Sequence, residues 1–234
     1  MNDYRNNGQD ILSRAQTADG FTTTRAGLSV QAHKVLRNTY LLLSATLAFS
    51  ALMAFVSSQM NIGMIPWWAH LAGFFGLLFA VEKTKNSALG IVFTFALTGF
   101  MGFVIGPLLR LYAANVGSEP IILSLGGTAL IFFALSAVAL ITKRDFGFMG
   151  KFLMVGLLVA FVAAIGNIFF QIPALSLAIS AVFLVLSSGV ILWETSRIVH
   201  GGETNYISAT VTLFVQLYNI FISLLNLISA FSSD

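Results

Sequence analysis

Polar side chains recur at helical spacing in the last apolar segment of the chain. Successive members are three or four residues apart, which places them on one face of an α-helix. They are Asn205, Ser208, Thr212, Gln216, Asn219, Ser223 and Asn226. Hydrocarbon offers no partners for amides and hydroxyls, so we expect this face to turn toward other helices or a water-filled cavity. Two interpretations stay open: polar contacts that hold helices together, or a polar conduit or ligand site.

Glu194 is the acidic residue best placed for chemistry, because it directly follows a long uncharged segment. Arg197 lies three residues later, so the two side chains would be neighbours on a continuing helix. One interpretation is an interfacial ion pair of little energetic value. The other is an acid at the mouth of the polar stripe that binds a cation or changes its protonation state. The candidate polar and pH-sensing site is therefore Glu194, Arg197, Gln216 and Asn219.

The sequence lacks the common catalytic and metal-binding motifs. It contains no HExxH, no GxSxG and no phosphate-binding loop ending in Lys-Ser or Lys-Thr. His200 and Glu203 are three residues apart, but Gly201 and Gly202 between them favour a loop over a metal site. With no cysteine either, we expect no enzymatic activity, no cofactor and no metal centre.

The composition is that of a protein that crosses a membrane several times. Of the 234 residues, 57% are hydrophobic and only 9% are charged, whereas a soluble domain has about 25% charged residues. Uncharged segments of about 20 residues or more, long enough for a hydrocarbon core of ~30 Å, are 39–60, 62–81, 88–109, 120–142, 152–172, 173–193 and 206–231. The net charge of +3 is small, so nucleic-acid binding has no support.

Residues 152–193 contain no charge at all, yet they are too long for one span. A single helix of that length would measure about 60 Å, twice the membrane thickness. Pro173 supplies the break, because it cannot continue a helix from the preceding turn. The sequence therefore predicts an all-α integral membrane protein with seven transmembrane helices, in which the polar last helix is central and enclosed by the other six.

The distribution of Lys and Arg predicts the orientation. If the N-terminus is cytoplasmic, all 12 basic residues except Arg110 lie on the inner side, as the positive-inside rule requires. Seven spans then place the C-terminus on the outer side.

Residues 1–30 are polar and mixed in charge, so they cannot bury enough surface to offset the entropy of ordering. We expect a flexible cytoplasmic tail over 1–30 and a seven-helix transmembrane domain over 31–234. The charged residues of this tail are Asp3, Arg5, Asp10, Arg14, Asp19 and Arg25.

Several blocks of the sequence resemble the Bax inhibitor-1 family. They are Glu194-Thr195-Ser196-Arg197-Ile198, Leu217-Tyr218-Asn219-Ile220-Phe221, His33-Lys34-Val35-Leu36-Arg37-Asn38-Thr39-Tyr40, Leu125-Gly126-Gly127-Thr128-Ala129-Leu130 and His200-Gly201-Gly202-Glu203-Thr204-Asn205-Tyr206. The resemblance covers most of the chain from His33 onward, and its last block is similar to the proteobacterial branch of the family. It implies a seven-span fold in the bacterial inner membrane, with the last helix enclosed by the others.

The resemblance also implies two functions. The first is a regulator that binds and inhibits the membrane-bound AAA protease FtsH, and this is the leading prediction. The resemblance further implies that the protease engages a flexible end of the chain, so the expected handle is the N-terminal tail with Asp3, Arg5, Asp10 and Arg14. The second is a pH-sensitive calcium or cation leak channel, controlled in some relatives by a pair of carboxylates. The first of those acids matches Glu194, but the second falls at Gln216, which cannot ionise. One acid and one amide cannot share a proton as two close acids do, so Gln216 favours the regulator.

Overall fold

The structure is a computed structural model that describes residues 29–60 and 62–232. Within these ranges the chain forms seven α-helices, one short 3-10 helix and no strand. The helices are α1 (Val30–Gln59), α2 (Trp67–Thr84), α3 (Ala88–Asn115), α4 (Glu119–Thr142), α5 (Gly150–Phe170), α6 (Pro173–Val199) and α7 (Tyr206–Ser232), with the 3-10 turn at Gly147–Met149. The predicted all-α class is confirmed.

Local sequence signals explain several helix limits. Ser29 caps α1, since its side chain accepts a hydrogen bond from the Ala32 amide. The predicted break in the long uncharged stretch is confirmed: α5 ends at Phe170, Gln171 adopts a left-handed conformation with φ of 51°, and Pro173 is the first residue of α6. The result is a tight hairpin of two antiparallel helices.

Six of the seven helices are long and apolar enough to cross a membrane. The exception is α2, which has 18 residues and includes His70, Glu82 and Lys83. A helix of this length measures about 27 Å. The assignment of seven spans therefore depends on where α2 lies in the bundle.

Helices α1 and α3 make the closest helix pair through small residues on α3. A Cβ atom on Gly102 would lie 2.1 Å from the Ser50 carbonyl oxygen, and one on Gly106 would lie 2.5 Å from that of Ala54. The Ser57 hydroxyl donates to the Phe103 carbonyl oxygen at 2.5 Å. These contacts define the α1–α3 seam, in which glycine lets two backbones approach.

The last helix is buried or half-buried along almost its whole length. Residues 206–230 include no exposed side chain, and both the polar Gln216 and the apolar Phe214 are buried. Helix α7 packs against α1, α3, α4 and α6, whereas α2 packs mainly on α3 and α5 mainly on α6. The last helix thus has four main neighbours rather than the six that we predicted, because α2 and α5 lie in an outer layer.

The two ends of the bundle differ in charge and in their connections. Three loops meet at one end: α2–α3, α4–α5 and α6–α7. The start of α1 is there too, because Val35 packs with Ile198 and Ala209. We call this the basic end, since the described Lys and Arg residues other than Arg110 lie there. At the opposite end, Arg110 donates to the Met60 carbonyl oxygen, and Trp67 packs edge-on against Phe169, with ring centroids 6.0 Å apart.

Candidate functional site

Glu194 lies one turn before the end of α6, with a side chain that is 0% exposed. One carboxylate oxygen, Oε2, accepts a hydrogen bond from Arg197 Nη1 at 2.8 Å. The other oxygen, Oε1, is buried and has no hydrogen-bond partner within residues 29–60 and 62–232. The two residues are therefore neighbours on α6, as their spacing predicted, and the pair leaves one buried acceptor unused.

Arg197 connects Glu194 to the loop that follows α6. Its Nη2 donates to Glu203 Oε2 at 3.2 Å and to the Gly202 carbonyl oxygen at 3.3 Å. The guanidinium also stacks on the Trp193 ring, 4.6 Å from the ring centroid. A planar group with five donors can satisfy these directions together, which a lysine ammonium cannot do.

The α6–α7 loop folds back onto the end of α6. Gly201 has φ of 75°, a left-handed conformation that favours glycine. The Gly202 amide then donates to the Arg197 carbonyl oxygen at 2.8 Å. This turn brings Glu203 under Arg197, and Glu203 Oε1 accepts from the Asn205 amide at 2.9 Å.

Asn205 joins two loops and starts the last helix. Its Oδ1 accepts from the amides of Ile207 at 2.9 Å and Ser208 at 3.1 Å, which caps α7. Its Nδ2 donates to the Lys85 carbonyl oxygen at 3.0 Å and to Asn86 Oδ1 at 2.8 Å. The α2–α3 loop is thereby tied to the start of α7.

Ser196 and His200 tie the α4–α5 loop to the end of α6. The Ser196 hydroxyl donates to the Arg144 carbonyl oxygen at 3.0 Å and accepts from the Phe146 amide at 3.1 Å. His200 Nε2 lies 3.1 Å from the Lys143 carbonyl oxygen, and its Nδ1 lies 2.8 Å from that of Ser196. We call Glu194, Ser196, Arg197, His200, Glu203 and Asn205 the basic-end network.

Gln216 is buried in α7 but does not join this network. Its side chain is 6% exposed, and its Oε1 has no hydrogen-bond partner among the described residues. Unpaired buried oxygens also occur on the helices that pack against α7, at Tyr40, Ser136, Ser187 and Thr195. The interior of the bundle, from Glu194 to the middle of the helices, therefore contains several buried oxygens with no partner among the described residues.

Asn219 lies in a separate place, one turn further along α7. It lines a cavity of about 480 Å³ between α3, α5, α6 and α7, together with Asn226 from the same polar stripe. We call this the distal cavity, since it lies toward the end of the bundle away from the basic-end network. The predicted site thus divides into a Glu194–Arg197 pair, a buried Gln216 and an Asn219 that faces the distal cavity.

The remaining predicted positions are placed as follows. Asp3, Arg5, Asp10 and Arg14 lie outside the described residues. Among the described residues, no group of three or more His, Cys, Asp or Glu side chains could hold a metal ion. His200 and Glu203 are both used in the basic-end network.

The chemistry that Glu194 can support follows from these contacts. A buried carboxylate requires a compensating charge, and Arg197 supplies it. Calcium prefers six to eight oxygen ligands, whereas this position offers one unused carboxylate oxygen. The geometry suits an electrostatic anchor between α6 and the loops at the basic end.

The predicted site did not include four residues that the structure adds to it. They are Ser196, His200, Glu203 and Asn205. The sequence analysis considered His200 and Glu203 only as a metal pair and Asn205 only as part of the polar stripe. Their roles depend on a loop that reverses direction and on two other loops that meet it. A signal was present, because paired glycines directly after a helix are typical of a chain reversal at its C-terminus. That reversal returns Glu203 to Arg197.

The helices define an all-helical membrane protein, and comparison with known sequences places it in a family. The family described as "Inhibitor of apoptosis-promoting Bax1" matches residues 32–233. The chain belongs to this family, the Bax inhibitor-1 family, as its sequence blocks suggested.

Named relatives are similar over most of their length. The chain is 52% identical over 202 residues to the modulator of FtsH protease YccA from Escherichia coli K12. The matched region covers 86% of this chain and 92% of the relative. The counterpart in another Escherichia coli strain, similar to the same extent, is named inner membrane protein YccA. An uncharacterized protein from Pseudomonas aeruginosa is 49% identical over 201 residues, 86% of this chain and 90% of the relative. These names describe a modulator and a membrane protein rather than enzymes.

Proposed function

We propose that this protein is an inner-membrane regulator that binds the membrane-bound protease FtsH and limits its action on other membrane proteins. The observation that carries the proposal is the 52% identity to a modulator of FtsH over 92% of that relative. The neutral Gln216 and the Arg197-paired Glu194 agree with a structural role for the polar residues of α6 and α7.

Within this proposal the chain crosses the membrane seven times, with the N-terminus in the cytoplasm and the C-terminus in the periplasm. The position of α2 supports a full crossing. Its C-terminal end meets Asn205 at the basic end through Lys85, and its other end meets Phe169 beside the α5–α6 turn. Its length of about 27 Å suits a hydrocarbon core of ~30 Å.

The N-terminal tail is the part of the chain proposed to engage the protease. Residues 2–25 are polar, carry both signs of charge and lie outside the described residues. The described chain begins at the basic end, where the start of α1 contacts α6 and α7. A tail at this end would face the cytoplasm in the proposed orientation.

Two measurements test the regulator. Affinity-tagged full-length chain should co-purify with FtsH from membranes, and its overproduction should lengthen the lifetime of a membrane substrate of FtsH. A variant lacking residues 2–25 should insert normally, last longer in cells with active protease and recover less FtsH. Absence of co-purification by the full chain, with no change in substrate lifetime, would overturn the proposal.

A second candidate, a cation leak, is favoured by one observation: the buried Oε1 of Glu194 has no hydrogen-bond partner in the part of the chain that the structure describes. The test is calcium flux in liposomes containing the purified chain, compared with Glu194→Gln. For a regulator alone, both proteins should give background flux. Flux in the unmodified chain that Glu194→Gln abolishes would replace the regulator with the channel.

A further inference from the structure

The distal cavity is a second polar site that the proposed function does not use. It lies between α3, α5, α6 and α7, and its volume is about 480 Å³, which falls within the usual range of small-ligand sites. Its polar lining consists of Tyr112, Asn167, Ser176, Ser180, Tyr218, Asn219, Ser223 and Asn226. Four helices thus direct uncharged polar groups into one space.

Part of this polar lining is already committed to hydrogen bonds within the protein. Asn226 Nδ2 donates to the hydroxyls of Ser176 at 3.1 Å and Ser180 at 2.8 Å. Asn167 Oδ1 accepts from the Ile172 amide at 3.1 Å. These bonds hold the α5–α6 hairpin and α7 in place around the cavity, so the cavity has a fixed wall.

Other groups in the lining are unused. Ser223 is 3% exposed, yet its hydroxyl makes no hydrogen bond with any described residue. The Asn219 carboxamide likewise has no partner in the described part of the chain. Together they present both donors and acceptors. Asn219 is half-buried, so both groups are open to the cavity, and a bound molecule that pairs with Ser223 and Asn219 would gain hydrogen bonds to them.

The chemistry of the lining excludes a strongly charged ligand. The described residues that form the cavity wall include no Asp, Glu, Lys, Arg or His. An ion held there would lack a counter-charge, which is unfavourable in a low-dielectric site. Amides and hydroxyls instead match the hydroxyl and ester groups of an uncharged molecule.

The remainder of the cavity wall is apolar, so a ligand must also have an apolar part. It consists of Leu108, Ala164, Ile168, Ile179, Phe183, Ile222 and Leu225. A ligand that fits both parts carries an uncharged polar group and a hydrocarbon chain. We propose that the distal cavity binds an uncharged amphiphile whose polar part is a polyol, such as a monoacylglycerol.

Photolabelling of the full-length protein in nanodiscs tests this proposal. The probe is a monoacylglycerol with a diazirine on its acyl chain, and labelled peptides are identified by mass spectrometry. Labels should fall on the segments of α5, α6 and α7 that line the cavity. Excess unlabelled monoacylglycerol should lower this labelling at least tenfold, whereas the free fatty acid of the same chain length should lower it less than twofold.

Competition by glycerol, which has no acyl chain, shows whether the bound polyol is part of a lipid or a free molecule. Weak competition by glycerol indicates that the acyl chain contributes and that the ligand is a lipid. Competition by glycerol equal to that of the monoacylglycerol indicates a free polyol site. Equal competition by the fatty acid, or labelling spread over lipid-facing segments with no preference for the cavity, would overturn the proposal.

A matched pair of substitutions at Ser223 separates hydrogen bonding from packing. Valine and threonine have the same shape, and only threonine keeps the hydroxyl. Ser223→Thr should retain most of the labelling, while Ser223→Val should lower it at least fivefold at an unchanged thermal midpoint. Asn219→Leu, which removes the other unused group, should have a similar effect.

The control is Ser44→Ala, which removes a hydroxyl in a different crevice, between α1, α3, α4 and α7. This change should leave the labelling of the distal cavity intact. Equal losses for Ser223→Thr and Ser223→Val, or no loss for Ser223→Val and Asn219→Leu, would show that hydrogen bonding in the cavity does not hold the amphiphile.

Discussion

Arg197 serves two carboxylates of different exposure. Glu194 is 0% exposed and Glu203 is 13% exposed, and both lie within 3.2 Å of the guanidinium. Burying a carboxylate is costly unless it is paired. The pair need not add net stability, because desolvation offsets much of the attraction. The main effect of Arg197 is to make the burial of Glu194 tolerable.

This balance predicts unequal effects for the two partners. Arg197→Met should lower the free energy of unfolding by about 3 kcal/mol, because it leaves the buried carboxylate of Glu194 uncompensated. Glu194→Gln should cost about 1 kcal/mol, because Arg197 keeps its contacts with Glu203 and Trp193. The measurement is unfolding of the purified protein in detergent.

The double variant Glu194→Gln with Arg197→Met supplies the control. It should be more stable than Arg197→Met alone, because the fully buried charge of Glu194 is removed together with its partner. A loss from Glu194→Gln as large as that from Arg197→Met would contradict this account. Strict additivity of the two changes in the free energy of unfolding would also contradict it.

Contacts between residues close in the sequence could be predicted at this scale, whereas contacts between distant residues could not. The pairing of Glu194 with Arg197 followed from a spacing of three on a helix. The contact of Asn205 with Lys85 joins residues far apart in the chain, and local patterns do not indicate which loops meet. Gln216 was predicted on the polar face, but the sequence could not indicate that its Oε1 stays unpaired.

Among the elements, α1 and α3 are held by shape rather than by charge. Glycines at 99, 102 and 106 recur along one face of α3 and bring the backbones close. Between helices in lipid there is no hydrophobic driving force, so close packing and hydrogen bonds must supply the attraction. The Ser57 hydroxyl adds such a bond to the seam.

The seam predicts a sharp difference between two glycines. Gly102→Ala should lower stability by about 1–3 kcal/mol, because overpacking forces the helices apart and the new Cβ would lie 2.1 Å from the Ser50 carbonyl oxygen. Gly126→Ala in α4 is the matched control, since nothing lies within 4 Å of its Cβ position. It should be neutral or slightly stabilising.

Thermal midpoints of the two variants in the same detergent provide the measurement. If both alanines had equal effects, packing at the seam would not be the cause. The seam also shows the limit of sequence analysis at this scale. Glycines at this spacing are typical of a close contact between helices, but the spacing does not identify α1 as the partner.

At the scale of the whole molecule, the basic-end network ties three loops together at one end. The opposite end has the hairpin turn at Gln171 and the distal cavity. Hydropathy predicted the apolar segments, and the positions of Lys and Arg predicted on which side of the membrane each loop lies. Both predictions depend only on local composition. Which four helices contact α7 could not be predicted, because the polarity of a helix does not determine its neighbours.

Single cysteines test the orientation, because the chain has none of its own. Ser87→Cys lies before α3 and Ser118→Cys lies after it, and both positions are exposed. With seven spans and a cytoplasmic N-terminus, a membrane-impermeant maleimide should label Ser118→Cys in intact spheroplasts. Ser87→Cys should react only after lysis. The reverse pattern would exclude this topology.

The α1–α3 seam has a mechanical consequence. A force applied to the N-terminal end of α1 acts along the helix axis, so it loads the contacts at Ser50, Ala54 and Ser57 at the same time. Contacts loaded in shear must break together, whereas contacts that are peeled apart break one by one. A machine that pulls on the N-terminus would therefore have to break these contacts together at the first helix, before any other helix has moved.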